Sequence, residues 1–235
     1  MAVLYSSVGH GGASGYLAVL SFILVSPAEM STTALLLNLL VAGMAVISFF
    51  RAGHLSFQLA WPFVVSSVPT AFAGGLLRVS DQTYFLLLAP VLVVAAFRLM
   101  ISPTLPKSEI PTQRPRLSVA VPSGAGIGLL SGIVGVGGGI FLSPLLLLMK
   151  WADPKQTSAV SALFIVVNSL AGLGGRLARG ALEGGLLLPL IVAAFFGGLV
   201  GSHFGATRFS AYTLRRLLAI VLLVAALKLV YTIFA

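Results

Sequence analysis

Eight apolar runs, at about residues 2–25, 30–50, 55–77, 84–101, 118–149, 159–175, 186–206 and 214–235, fill most of the chain and leave only short polar stretches between them. A helix needs about 20 apolar residues to cross a hydrocarbon layer roughly 30 Å thick. A chain of 235 residues so patterned therefore has room for about eight spans and no soluble domain. Only 8% of its residues are charged, against roughly 25% in soluble domains, and its mean hydropathy is +1.09. The expected fold class is an all-α, multi-pass integral protein of the cell (inner) membrane, with membrane lipid against its outer surface.

The longest polar stretch, Ser102 to Arg116, holds four prolines and reads as an extended linker. It divides the chain into a first transmembrane repeat at 1–101, a linker at 102–117 and a second repeat at 118–235. The halves resemble each other at a nearly constant offset. Val8-Gly9-His10-Gly11-Gly12-Ala13 matches Val134-Gly135-Val136-Gly137-Gly138-Gly139, and Ser26-Pro27 matches Asp153-Pro154. Ala52-Gly53-His54-Leu55 matches Arg179-Gly180-Ala181-Leu182, and Ala95-Ala96-Phe97-Arg98-Leu99 matches Ala225-Ala226-Leu227-Lys228-Leu229. Two homologous halves of four hydrophobic segments follow, the first segment of each broken at a glycine-rich motif.

Residues 118–149 as one continuous helix would be about 48 Å long at about 1.5 Å per residue, which is too long for one crossing. The run Gly135-Val136-Gly137-Gly138-Gly139 is where it is expected to break, because glycine permits unwound backbone and costs helix stability. The first segment lacks most of the stretch that precedes the glycines in the second half, which leaves open a shortened N-terminus. Met1 to Tyr5 carries neither a basic region nor a cleavage site, so the first segment is expected to remain in the mature chain.

Basic residues discriminate between topologies. Eight plain crossings with parallel repeats divide them six against eight, which orients nothing. If segments one and five dip in and return, the division is ten against four, with Arg51, Arg98, the linker, residues 150–155 and residues 208–216 inside. That count favours re-entrant first segments and inverted repeats. The formal charge of +9 arises mostly from residues set singly at segment ends, with no aromatic-interleaved patch, so nucleic acid is excluded as a partner.

The chain has no cysteine, which removes disulfides, thiolate metal sites and thiol catalysis. His54 and His203 have no partner at ligand spacing, so no metal and no cofactor is expected. Neither Gly-Lys-Ser/Thr nor a following acidic residue turns the glycines into a nucleotide loop. No carboxylate lies in the middle of an apolar segment: Glu29, Asp81, Asp153 and Glu183 sit at boundaries and Glu109 in the linker. Cation carriers ordinarily need one deeper, whereas glycine breaks offer backbone N–H groups and helix N-termini to anions.

The expected substrate-binding residues are therefore Gly9, His10, Gly11 and Gly12 in the first break, and Gly135, Gly137, Gly138 and Gly139 in the second. Close helix packing is the other role glycines fill, and it is the one assigned to Gly197, Gly201 and Gly205. His10 stands where the second half has Val136; it either donates to an anion and carries a proton or is satisfied by a backbone carbonyl. Ser31 precedes Asn38, and Ser161 precedes Asn168, by seven residues, which places each pair on one helix face. These four complete the expected binding set, with back-bonding to the helix as the alternative for each. Arg98 and Lys228 share a repeat position and are expected to reach the membrane interface.

At these residues the chain resembles the sulfite exporter TauE/SafE family of bacterial membrane permeases. The resemblance rests on the duplicated glycine motif, best kept as Gly135-Val136-Gly137-Gly138-Gly139-Ile140-Phe141-Leu142-Ser143-Pro144, and continues through Ser161-Ala162 and Asn168-Ser169. The first half departs from it, with His10 inside the motif and no proline equivalent to Pro144. The resemblance implies a secondary transporter for a small inorganic or organic anion, such as sulfite or an organosulfonate. A structural subunit of a membrane complex is one alternative. An intramembrane enzyme is another, although the segments offer no acidic partner for a nucleophile. Import or export, the coupling ion and a homo-oligomeric assembly stay open.

Overall fold

The computed structural model describes residues 12–22, 26–101, 114–180, 189–190, 192–196 and 211–234. These form helices α1 (Ala13–Leu20), α2 (Pro27–Arg51), α3 (Phe57–Leu76), α4 (Asp81–Ile101), α5 (Leu117–Val134), α6 (Gly139–Leu148), α7 (Pro154–Ala178) and α8 (Ala211–Phe234). No strand occurs among the described residues. Among the described residues, five helices are long and apolar enough to cross a membrane: Pro27–Arg51, Phe57–Leu76, Asp81–Arg98, Leu117–Val134 and Lys155–Ala178.

Helix starts follow local chemistry. Ser26 and Glu29 form a reciprocal capping box at α2, with Pro27 in the first position. Asp153 accepts from the N–H groups of Lys155 and Gln156 at 2.7 and 2.9 Å ahead of α7, again with proline first. Such caps satisfy donors that a helix start leaves orphaned. They explain why α7 begins several residues before its apolar run: the cap sets the start. Both 25-residue helices are followed by a glycine of positive φ, Gly53 and Gly180, the usual left-handed helix stop.

The fifth apolar run is a hairpin. Ala120 at the start of α5 shares one buried cluster with Leu142 and Leu146 of α6 and with Trp151 beyond it, together with Leu59 and Phe63 of α3 and Phe164 of α7. Both ends of residues 117–151 therefore lie at the same end of the bundle, where α3 and α7 also begin. The other end gathers the close of α5, α3 and α7 with the start of α2, since Ser31, Leu77, Ile133 and Arg176 border one cavity. Helices α2 and α7 consequently run antiparallel side by side, and a Cβ on Gly172 would lie 3.3 Å from Leu35.

Helix α3 occupies the centre, against α5 and α7. Gly124, Gly128 and Gly132 of α5, spaced by four, approach Phe63, Ser67 and Ala71 of α3 so closely that a Cβ would overlap neighbouring backbone. Gly75 meets Gly172 in the same way. With lipid outside, such close backbone approach substitutes for the hydrophobic drive available in water. Thr70 Oγ1 adds a hydrogen bond to the Ala125 carbonyl at 2.8 Å. The glycine series at 197, 201 and 205, and His203, lie outside the described residues. A second cluster joins Leu17 of α1, Ala34 of α2, Leu88 and Leu92 of α4, Val136, and Leu222 and Leu229 of α8. Outward-facing Phe97, Leu148, Leu177 and Leu227 are 63–81% exposed, the surface expected of a chain bathed in lipid.

Candidate functional site

The break between α5 and α6 comprises Gly135 to Gly138, three of them at φ of +77° to +86°. That is the left-handed region in which a side chain costs roughly 1–2 kcal/mol per residue, so glycine is required here. Helix α6 starts without a side-chain cap. The Phe141 and Leu142 N–H groups reach back to the Gly138 carbonyl at 3.1 and 3.2 Å. Ahead of them, the Gly139 and Ile140 N–H groups have no carbonyl of the helix to reach, and they carry the partial positive charge of a helix start.

Antiparallel α2 and α7 line this break. Where a Cβ of Gly137 would sit, Asn38 Nδ2 is 2.7 Å, Ile165 2.9 Å and Ser169 Oγ 3.4 Å away. Gly138 faces Phe164 and Ile127, Gly139 faces Ile165 and the Ser161 carbonyl, and Gly135 lies against the backbone of Ser31. Asn38 is fully buried, yet neither its amide nitrogen nor its oxygen has a hydrogen-bond partner among the described residues. The same holds for Ser169 Oγ. A buried unpaired polar atom costs about 1–3 kcal/mol, and three of them meet beside one unwound glycine. Eleven residues from Pro27, Asn38 stands about 16 Å along its helix at about 1.5 Å per residue, near the midplane of a bilayer core roughly 30 Å thick.

Of the residues expected from sequence, the structure brings together Gly135, Gly137, Gly138, Gly139, Asn38 and Ser161. Ser161 shares a 2.8 Å hydrogen bond with Ser143, which also donates to the Gly139 carbonyl at 2.7 Å. Ser31 lies against the break through its backbone and Cβ, while its hydroxyl back-bonds to Pro27 and Ala28. Asn168 donates to the Phe164 carbonyl of its own helix at 2.8 Å, and none of the distances around the break involves it. Gly12 is buried at the start of α1, where a Cβ would strike the Tyr16 ring. Gly9, His10 and Gly11 lie outside the described residues.

Sequence reasoning missed Ser143 and Ser169 as site residues, although both fall within the motif stretches. It also missed the groups that end α5. Tyr84 donates to the Val134 carbonyl at 3.0 Å, and Arg176 Nη2 donates to the carbonyls of Gly132 and Ile133, each at 2.9 Å. The break leaves these last carbonyls without helical partners, and a cation there also complements the helix dipole. Arg176 sits one residue beyond the apolar run at 159–175, so the limits of that run leave it out.

Two further cations hold the short helices. Pro144 has no N–H, so the Ile140 carbonyl four residues earlier lacks its helical donor, and Arg98 Nη1 supplies one at 3.3 Å. Lys228 Nζ donates to the Ser21 carbonyl just after α1 and lies over the Phe22 ring, 4.9 Å from its centroid. Both side chains thus bond to carbonyls of other segments.

A cavity of about 420 Å³ opens beside the end of α5, lined by Ser31, Arg78, Asp81, Tyr84, Arg176 and Arg179 among others. At the other end of the bundle a cavity of about 590 Å³ is lined by Gln58, Trp61, Arg114, Trp151 and Gln156 among others. The glycine break lies between them. Ser31 borders the first cavity and touches Gly135, while Trp151 borders the second and shares a buried cluster with Phe164, which touches Gly138.

A family model described as sulfite exporter TauE/SafE matches residues 1–229. The chain is 34% identical over 233 residues to the probable membrane transporter protein y4hK of Sinorhizobium fredii, covering 98% of this chain and 94% of that protein. It is 29% identical over 105 residues to the probable membrane transporter protein YunE of Bacillus subtilis, covering 45% of this chain and 38% of that one. No solved structure matches it.

Proposed function

Because this multi-pass membrane chain belongs to the sulfite exporter TauE/SafE family of transporters, we propose that it is a secondary carrier whose substrate is a small anion, sulfite or an organosulfonate, bound at the glycine break. The observation that carries this reading is the meeting of Asn38 and Ser169, buried and unpartnered among the described residues, with the unwound Gly137. Amide and hydroxyl donors with helix-start N–H groups suit an oxyanion, and among the described residues no carboxylate borders the break to hold a cation. Gly9, His10, Gly11 and Gly12 are assigned the corresponding place in the first half, with Ser31, Ser161 and Asn168 as supporting groups.

Asn38→Asp tests the sign of the substrate. A negative charge beside Gly137 should lower flux of radiolabelled sulfite into proteoliposomes at least tenfold, while Asn38→Ser, which replaces the amide donor with a hydroxyl donor, should retain a measurable fraction. Undiminished flux in the aspartate variant would refute an anion bound at this position. Absence of flux for the purified native chain would favour a structural subunit.

Alternating access follows from the arrangement of the halves. Helices α2 and α7 occupy equivalent places after each glycine motif and run antiparallel, and the hairpin α5–α6 returns to its own side; both support inverted repeats with a re-entrant first segment in each half. The linker and the C-terminus should then lie on opposite membrane faces. Single cysteines placed at Pro111 and Ala235, in a chain with none of its own, should react with an impermeant maleimide from opposite sides in right-side-out and inverted vesicles. Labelling of both from one side would eliminate inverted repeats.

A further inference from the structure

We propose that the cavity beside the end of α5 is a second anion site, an arginine-lined vestibule that captures a small oxyanion before it reaches the glycine break. The proposal rests on the carrier reading for what happens afterwards, but the site stands on its own residues. Three guanidinium groups, Arg78, Arg176 and Arg179, border about 420 Å³ together with a single carboxylate, Asp81. Membrane interfaces are often basic, but Arg176 is only 3% exposed. A buried cation is costly unless it is matched. Its Nη2 is engaged by the Gly132 and Ile133 carbonyls, while its Nε has no partner among the described residues. A guanidinium fixed through one nitrogen with another donor unmatched is prepared to bind the edge of an oxyanion, the geometry in which arginine exceeds lysine.

The vestibule also leads to the break. Ser31 lines it and its backbone lies against Gly135, so an ion held by Arg176 waits beside the last turn of α5. Arg176 and Tyr84 cap the carbonyls of that same turn. An anion that draws on Arg176 therefore competes with the bonds that fix the end of α5, which couples capture to the backbone the substrate must pass.

Phosphate on a lipid headgroup has the same chemistry as a free oxyanion, and the proposal commits to the free ion because the buried guanidinium lies within the bundle, beside the break. The test is equilibrium binding of radiolabelled sulfite to the full chain in nanodiscs of zwitterionic lipid, with sulfate and phosphate as competitors. It uses the native chain and a Gly137→Leu background, in which the inner site is blocked. One saturable, salt-sensitive site should persist in the Gly137→Leu protein. Arg176→Gln should weaken it at least tenfold, with Arg176→Lys intermediate. Arg78→Gln, at an exposed position where folding is not at stake, should weaken it about threefold.

Loss of all binding in folded Gly137→Leu protein, or binding indifferent to both arginines, overturns the proposal. Nanodiscs containing phosphatidylglycerol should leave the affinity within twofold; a tenfold loss would identify the occupant as a lipid headgroup and overturn the free-ion site. Arginine-dependent binding in a native chain that moves no anion would leave the vestibule standing and remove the carrier reading instead.

Discussion

Leucine at Gly137 will abolish sulfite flux in proteoliposomes while the protein still inserts and purifies. Its φ of +77° alone strains any other residue by roughly 1–3 kcal/mol. The new side chain must also enter the space between Asn38 Nδ2 and Ile165, 2.7 and 2.9 Å from its first carbon. That space is where the proposed anion meets its donors, so occupation removes binding directly. Most helix-to-helix contacts lie elsewhere, along α3, α5 and α7, and the variant keeps them. Flux near the native level in well-expressed Gly137→Leu would show that the break does not line the substrate path.

Valine at Gly132 should have an effect just as large but opposite in kind: loss of the folded protein itself. A Cβ there overlaps the Ala71 carbonyl and crowds the Gly75 nitrogen at 3.0 Å, and backbone on a central helix has no rotamer to yield. Overpacking of a well-packed core costs about 1–3 kcal/mol and occasionally more. Here the strain falls on the crossing of α3 and α5, next to the carbonyl that Arg176 binds. Size-exclusion chromatography in mild detergent should show aggregate in place of a monodisperse peak. Gly126→Ala is the control, because a Cβ at that position meets nothing within 4 Å; its peak should match the native one. A monodisperse Gly132→Val protein would mean that the helices separate more easily than this packing implies.

These two glycines show what the sequence discloses. Gly137 was legible because five residues with four glycines interrupt a run too long for one span, and helix length alone demands a break there. The starts of α2 and α7 were legible for a similar reason, since Ser26-Pro27 and Asp153-Pro154 carry their own caps. Gly132 was not read as a contact, although the four-residue series Gly124, Gly128, Gly132 is in plain view. Its meaning depends on α3, whose approach no local pattern encodes. The seven-residue spacing puts Ser31 with Asn38, and Ser161 with Asn168, on one helix face, and all four are buried. Spacing cannot say which hydroxyl or amide turns back on its own helix, as Ser31 and Asn168 do, and which stays unpaired, as Asn38 does. Tyr84 and Arg176 were hidden for the same reason: the carbonyls they bind are 43 to 50 residues away in the chain, and only tertiary structure brings the unpaired Ser169 hydroxyl beside Gly137.

The proline in α6 has a consequence for how such a chain can be divided. Pro144 strips the Ile140 carbonyl of its donor, and the replacement, Arg98, comes from before the linker; Lys228, from the far end of the chain, reciprocates at Ser21 beside α1. Each portion thus lends the other a part it lacks. Expressed alone, residues 118–235 would carry an α6 with a bare carbonyl in the lipid phase, and residues 1–101 an α1 without its closing lysine. The two portions are therefore interdependent, and co-expression of the two fragments should rescue what neither can assemble by itself.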